Sequence, residues 1–486
     1  MKPYRAVDWF SIFLVLVLAI ATRAWYLCTF AQCGQSDDVW QAQGESASVR
    51  TWAATREAPD ERELDRLTEH LRQALRDRGL IGMLEGYKTL APLAARDEFA
   101  AYLAPAYPVF RVLWEEVASY VDVPPKQWLR WTFAVLGSLT AVLVFMAARR
   151  AFDHLPIALL AGLGAAFYPL WIVNVAELGD GVFATFVFMA TLVLGIRAGQ
   201  QGGAWTCFCY GVLLGLAMLT RGAWVPFVLV AFFWFLWRCR DLPQGWVCSL
   251  LTLVALSGTS TPWLVYLYRQ TGSVIPGSSS SGWHLWVGNN SRADGGPFRE
   301  DMVQLLDNVK VLAEKPQTER YYWMYNLVVE EWYRDPPASL ARRLRAGVAF
   351  FLGHDFLTKG SAGILGNASA QGINADEVGF TGGALAGLLA LLLLAPLGWR
   401  WSFAFKECSV PLQATLFWIP LPYVLSHAET LHGPRLPLDG VLLILAALAL
   451  VNMIPGLGAR AAENNSRDEN NSRERTPSHM LLVPPV

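Results

Sequence analysis

Apolar residues in this chain come in runs of about sixteen to twenty-three positions that carry almost no charge, and the runs recur from the start to about residue 455. A helix of roughly 20 apolar residues crosses the ~30 Å hydrocarbon layer of a bilayer. Ten such spans are expected, at about 8–30, 128–148, 157–175, 181–197, 204–219, 223–238, 246–267, 380–398, 410–426 and 437–455. The shortest need local bilayer thinning or burial against neighbours. Composition agrees: 54% of the 486 residues are hydrophobic and 16% charged, where soluble chains carry about 25% charged residues. A soluble enzyme is excluded. A net charge of −1 gives no cationic excess to neutralise phosphates, so a nucleic-acid partner is excluded as well. The expected fold is an all-α integral membrane protein.

Residues 102–121 are apolar enough to resemble a further span, but Arg111, Glu115 and Glu116 fall in mid-segment. Each would cost about 2.5–3.5 kcal/mol at the centre of a bilayer. An interfacial helix, with those charges facing water, is expected instead. Loop charge agrees. With ten spans and the N-terminus inside, Lys2, Arg5, Arg149, Arg150, Arg197, Arg238, Arg240, Arg400 and Lys406 lie inside, against Arg221 and Arg435 in short outer loops. Counting 102–121 as a span would reverse most of that bias. The first apolar run is too long for a signal-peptide core and is read as an uncleaved helix.

This topology divides the chain into a membrane module at 1–267 that includes a first extracytoplasmic loop at 31–127, a second loop at 268–379, final spans at 380–458, and a disordered cytoplasmic tail at 459–486. Within the first loop, Leu64, Leu67, Leu71 and Leu75 form a helical stripe lying on the bilayer or on the bundle. The charges between them are expected to be a solvated face, with Gly79 as a C-terminal stop.

Candidate functional groups gather at outer span ends: Asp37 and Asp38 after the first, Glu177 and Asp180 in a five-residue turn, Arg221 after the fifth, Arg269 after the seventh and Arg435 before the tenth. Each has a plainer reading. Acids next to a helix are often solvated or cap it, and boundary arginines often snorkel. Together, however, a paired carboxylate has a raised pKa that suits proton abstraction, and guanidinium forks suit a phosphate. Acids with arginines at a membrane surface point to transfer from a lipid phosphate to a hydroxyl.

The order of these features resembles the GT-C glycosyltransferases of the protein O-mannosyltransferase and aminoarabinose transferase superfamily. Asp37-Asp38 resembles its paired acid motif, and Pro105-Ala106-Tyr107-Pro108 resembles its P-L-Y-P element, which begins a juxtamembrane helix. Glu177 to Asp180 resembles the second acidic turn. Gly211 to Leu216, running to Leu219-Thr220-Arg221, resembles the G-x-x-x-G-L…L-T-R stretch. Gly282 to Asn290, with His284 at the usual Asn position and Asn289 within it, resembles the outer-loop G-x-N-L-Y-x-G-N segment. Arg435-Leu436-Pro437 resembles the R-Y-x-x-P start of a late span.

The resemblance implies a polyprenyl-phosphate-sugar donor, a hydroxyl-bearing acceptor, and catalysis by Asp37 or Asp38. It further implies an acceptor or second acidic site at Glu177 and Asp180, donor phosphate contacts from Arg221, Arg269 and Arg435, and substrate-loop roles for Tyr107, His284 and Asn289. No cofactor is certain and no metal ligand is assigned, though a divalent metal could bridge acids and phosphate. The implied location is a bacterial cytoplasmic membrane with both termini inside. A lipid-linked sugar flippase and a non-catalytic envelope scaffold are the competing readings; transporters usually carry ionisable residues at mid-membrane.

Overall fold

A computed structural model of the chain describes residues 5–29, 61–85, 103–275, 281–296, 302, 305, 317–354, 375–427 and 434–455. Helix is the regular secondary structure among the described residues. The chain runs through α1 (Ala6–Thr29), α2 (Glu61–Glu85), α3 (Ala106–Val121), α4 (Pro125–Phe152), α5 (Leu155–Ala166) and α6 (Pro169–Val173). It continues through α7 (Gly181–Gln201), α8 (Ala204–Thr220), a 3-10 turn at Gly222–Trp224, α9 (Val225–Cys239) and α10 (Gly245–Thr271). Then follow α11 (Ser281–Asn289), α12 (Gln317–Arg334), α13 (Pro336–Leu352) and α14 (Ala375–Ser402), and last α15 (Val410–Trp418), α16 (Leu421–Leu425) and α17 (Leu436–Met453).

Each of the ten expected segments is apolar and helical, with 410–426 divided between α15 and α16. Seven are long and apolar enough to cross a membrane, and Leu155–Ala166, Ala204–Thr220 and Val410–Leu425 are shorter. The protein is an all-α integral membrane protein. Helices α7 and α17 are the most enclosed, with α4 next, whereas α1, α9, α10 and α14 bury only 28% of their spanning residues. The exposed side chains on those outer helices are themselves apolar, such as Phe13, Phe233, Val254 and Leu393. That pattern suits helices whose outer face meets lipid.

The segment 157–175 corrects one expectation, because it is two helices. The helix α5 ends at Ala166, and α6 begins only at Pro169. Proline has no N–H to continue the ladder and disfavours helical geometry in the residue before it; Tyr168 accordingly is extended. The carbonyls freed by this break are answered from α1. Thr22 donates to the Ala166 carbonyl at 3.0 Å, and the buried Arg23 donates to those of Ala166 at 3.2 Å and Ala165 at 3.4 Å. Near the other end of α1, the buried Asp8 pairs with Arg149 at the end of α4, at 2.8 Å.

A second correction concerns α3. It is a separate helix, as its charges required, but Arg111 and Glu115 do not face water. Both are buried and joined at 2.7 Å. The reason is α2, whose Leu67 and Leu71 pack on Val112 of α3 and on Trp263 and Leu267 of α10. This docking brings Arg72 onto Glu115, and Arg76 onto Glu116 at 3.0 Å. The charges of α2 are therefore partly an ion-pair ladder as well as a solvated face. Gly79, at φ 69°, breaks the helix without ending it.

A close helix crossing joins α8 to α10. A Cβ added to Gly211 would stand 2.4 Å from the Thr252 carbonyl oxygen, and one added to Gly215 would stand 2.6 Å from Thr259 Cβ. The G-x-x-x-G of the motif is a packing groove of the kind that lets two membrane helices approach. Gly215→Leu is expected to overpack this contact at a cost of about 1–3 kcal/mol, read as a lowered thermal unfolding midpoint in detergent.

Candidate functional site

The break after α5 creates an elbow, residues 168–181, that leads into α7. Several helix ends are tied to it. Arg221 closes α8 in an extended conformation and donates through both Nε and an Nη to the two carboxylate oxygens of Asp180, each at 2.7 Å. The carboxylate of Asp180 does not cap α7, although Asp180 occupies the N-cap position. The Arg221 guanidinium also lies 5.7 Å from the ring centre of Trp224, a cation–π arrangement. Fork geometry of this kind fixes the plane of the guanidinium as well as its position. The Glu177 carboxylate accepts from Asn174 at 2.7 Å and is exposed.

Four further residues hold the elbow in place. The buried Tyr107, at the start of α3, donates its hydroxyl to the Leu178 carbonyl. Arg130 of α4 donates to the Ala176 carbonyl at 3.3 Å, and the Trp171 indole donates to the Leu436 carbonyl at 3.2 Å. Arg435, just before α17, is fully buried and donates to Asp439 at 3.0 Å, the Tyr168 hydroxyl at 3.3 Å and the Phe351 carbonyl at 2.5 Å. A small cavity is lined by Thr140, Asn174 and Thr185 beside Trp171 and Leu436.

The structure thus ties Tyr107, Glu177, Asp180, Arg221 and Arg435 to one elbow, although they come from four separate parts of the chain. Arg269 is not brought in; it is exposed on the last turn of α10 and makes no ion pair among the described residues. Asp37 and Asp38 lie outside the described residues. No group of three or more His, Cys, Asp or Glu suited to a metal ion occurs among the described residues.

His284 and Asn289 belong to a second cluster, where α11 meets the end of α16. The rings of His284 and His427 stack with centres 5.0 Å apart, and Nδ1–H of His427 donates to the His284 carbonyl at 3.3 Å. Asn289 donates to the carbonyls of Leu285 at 2.7 Å and Leu425 at 2.9 Å, and accepts from Trp332 at 3.0 Å. Arg343 of α13 completes the cluster. Its guanidinium donates to the carbonyls of Val424 at 3.0 Å and Leu425 at 2.6 Å, and also to those of Ser426 and Gly288. Gly288 is required there, since a Cβ would fall 1.5 Å from the Ser426 carbonyl oxygen. The α16 segment packs against the Gly222–Trp224 turn that follows Arg221.

Arg343, His427 and Tyr168 were not singled out from sequence. Arg342-Arg343 reads as an ordinary basic pair on an amphipathic helix, and nothing local shows which carbonyls it will meet.

Residues 119–266 match the profile of the dolichyl-phosphate-mannose-protein mannosyltransferase family. That stretch contains Arg130, the elbow, Asp180 and Arg221. The match covers about a third of the chain. Among solved structures, the apo oligosaccharyltransferase of Archaeoglobus fulgidus is 13% identical, with a TM-score of 0.48 over 94% of this chain and 52% of that one. The archaeal oligosaccharyltransferase AglB of the same organism, in complex with an inhibitory peptide and a dolichol-phosphate, gives 13% identity and a TM-score of 0.46, over 95% of this chain and 52% of that one. The chain spans about half the length of these relatives. No curated protein matches the sequence.

The histidine cluster makes a prediction about pH. Burial first, and then the neighbouring His427, pushes the His284 pKa down to about 3. Burial also pushes His427 down to about 4; the charge of Arg343 adds to this and the bond to the His284 carbonyl opposes it. Both rings are neutral in the folded protein, whereas an unfolded histidine takes up a proton near pH 6.5. Below that pH the unfolded state binds more protons, so stability falls as pH drops from about 6.5 towards 4. Unfolding midpoints across this range are expected to show that slope, and His427→Gln to flatten it.

Proposed function

We propose that this protein is an inverting glycosyltransferase that moves a sugar from a polyprenyl-phosphate-linked donor to a hydroxyl acceptor at the extracytoplasmic face of a bacterial cytoplasmic membrane. The observation that carries the reading is the Asp180–Arg221 fork, which lies inside the family-matched stretch. The family's donor, a dolichyl-phosphate sugar, suggests the donor class, and the acceptor is a lipid, a glycan or a protein side chain.

In this reading the acceptor hydroxyl attacks the anomeric carbon from the face opposite the phosphate. A C–O bond to the acceptor forms as the bond to the phosphate oxygen breaks, and the hydroxyl proton passes to Asp37, with Asp38 or Asp180 orienting the acceptor. The lipid phosphate leaves with the bonding electrons. Arg221 is placed to stabilise the negative charge that accumulates there, and Arg269 is a second cation available at a helix end. Arg435 acts differently. Because it is fully buried and bound to Asp439, Tyr168 and Phe351, it positions the elbow and does not meet the phosphate at a surface.

Membranes supplied with polyprenyl-phosphate sugars provide the test. Asp37→Asn or Asp38→Asn is expected to lower transfer on the order of 10² to 10⁴-fold; undiminished transfer in both would exclude these acids as the base. A separate cycle concerns the fork. Asp180→Asn and Arg221→Gln should each reduce transfer about 10 to 100-fold, while the double variant should be no worse than the weaker single, as expected for two groups acting as one unit. Full additivity would show that the pair does not act together.

A further inference from the structure

Helix α13 is amphipathic in an unusual way: its two long faces are both partly apolar. It begins firmly, with the Asp335 carboxylate accepting from the Ala338 N–H at 3.0 Å and prolines in the first turn. One face, including Arg342, Arg343, Ala346 and Phe350, is buried against α16 and the histidine cluster. Another face leaves Leu340 at 55%, Leu344 at 66% and Val348 at 48% exposure. These three are spaced i, i+4 and i+8, so they form one row along the helix.

We infer that α13 seats the Leu340–Leu344–Val348 row in the acyl region of the adjoining bilayer leaflet, as an interfacial helix.

Two observations commit the row to lipid. The first is continuity. Helix α13 packs beside α16, with Phe350 stacked on Tyr423 at 5.6 Å and Gly347 facing Val424. The apolar segment Val410–Leu425 to which α16 belongs exposes its own row of Phe417, Leu421 and Leu425. The α13 row therefore belongs to a helix packed beside an apolar segment with exposed apolar residues of its own. The second is polarity at the margin. Arg345 is exposed at the edge of the row, where its stem can lie along apolar surface while the guanidinium reaches lipid phosphates. Tyr333, 84% exposed just before the helix, is a residue type enriched at membrane–water boundaries. The inference does not depend on the transfer reaction.

The experiment places a nitroxide label singly at Leu340→Cys, Leu344→Cys, Val348→Cys and, for reference, Arg345→Cys. The full chain is used, with its seven native cysteines replaced, in phosphatidylcholine vesicles, and each variant is first shown to keep the cooperative unfolding of the parent. In the expected result, collisions with oxygen exceed those with a water-soluble nickel chelate at 340, 344 and 348, and the order reverses at 345. Dominant nickel collisions at the three row positions would place the row in water and overturn the proposal. Low collision rates with both reagents would overturn it too, because they would show a second copy or a protein partner covering the row.

Discussion

A helix interrupted inside a membrane protein leaves carbonyl groups that water does not readily reach, and an unsatisfied one costs several kcal/mol. Interruptions and abrupt ends recur in this chain, and arginines answer them. Arg23 takes the carbonyls at the end of α5, and Arg130 takes one in the elbow that follows. Arg435 takes that of Phe351, near the end of α13, and Arg343 takes three consecutive carbonyls at the end of α16 together with that of Gly288. Five N–H donors in a rigid plane make arginine suited to this, and lysine, a point charge on a flexible stem, much less so. The elbow that carries Asp180 is held by these contacts rather than by a regular helix.

That arrangement changes how charge in the bundle is understood. Arg23, the Asp8–Arg149 pair and the Arg435–Asp439 pair are all buried, so the apolar helices are not free of ionisable groups. Each of these groups is bound to a neighbouring helix or to the carbonyls of a break. A buried pair of this sort is weak evidence for net stability, because desolvation offsets much of the attraction. Its value lies in fixing one geometry.

Much of the architecture was legible in the sequence because a bilayer imposes length and polarity rules that act on single segments. The ten apolar stretches and the separate character of α3 follow from those rules. Glu177, Asp180, Arg221 and Arg435 could be picked out because they stood at segment ends, and Tyr107 through the resemblance to the P-L-Y-P element. What sequence did not show depends on partners distant along the chain. Arg111 and Glu115 turn inward because α2, some forty residues earlier, docks on them. Arg343 finds carbonyls about eighty residues later. The break before Pro169 was visible as a proline inside an apolar run, yet the run's overall length suggested a single helix.

The shortness of α5 has a consequence for depth. Twelve residues rise about 18 Å at 1.5 Å each, whereas the 28 of α4 rise about 42 Å. Arg23, which receives the end of α5, stands six residues short of the end of α1, or about 9 Å along its axis. The Tyr168–Gly181 segment therefore starts on a ledge sunk between taller neighbours. The lipid-linked donor proposed above would have to reach that ledge below the ends of α1 and α4.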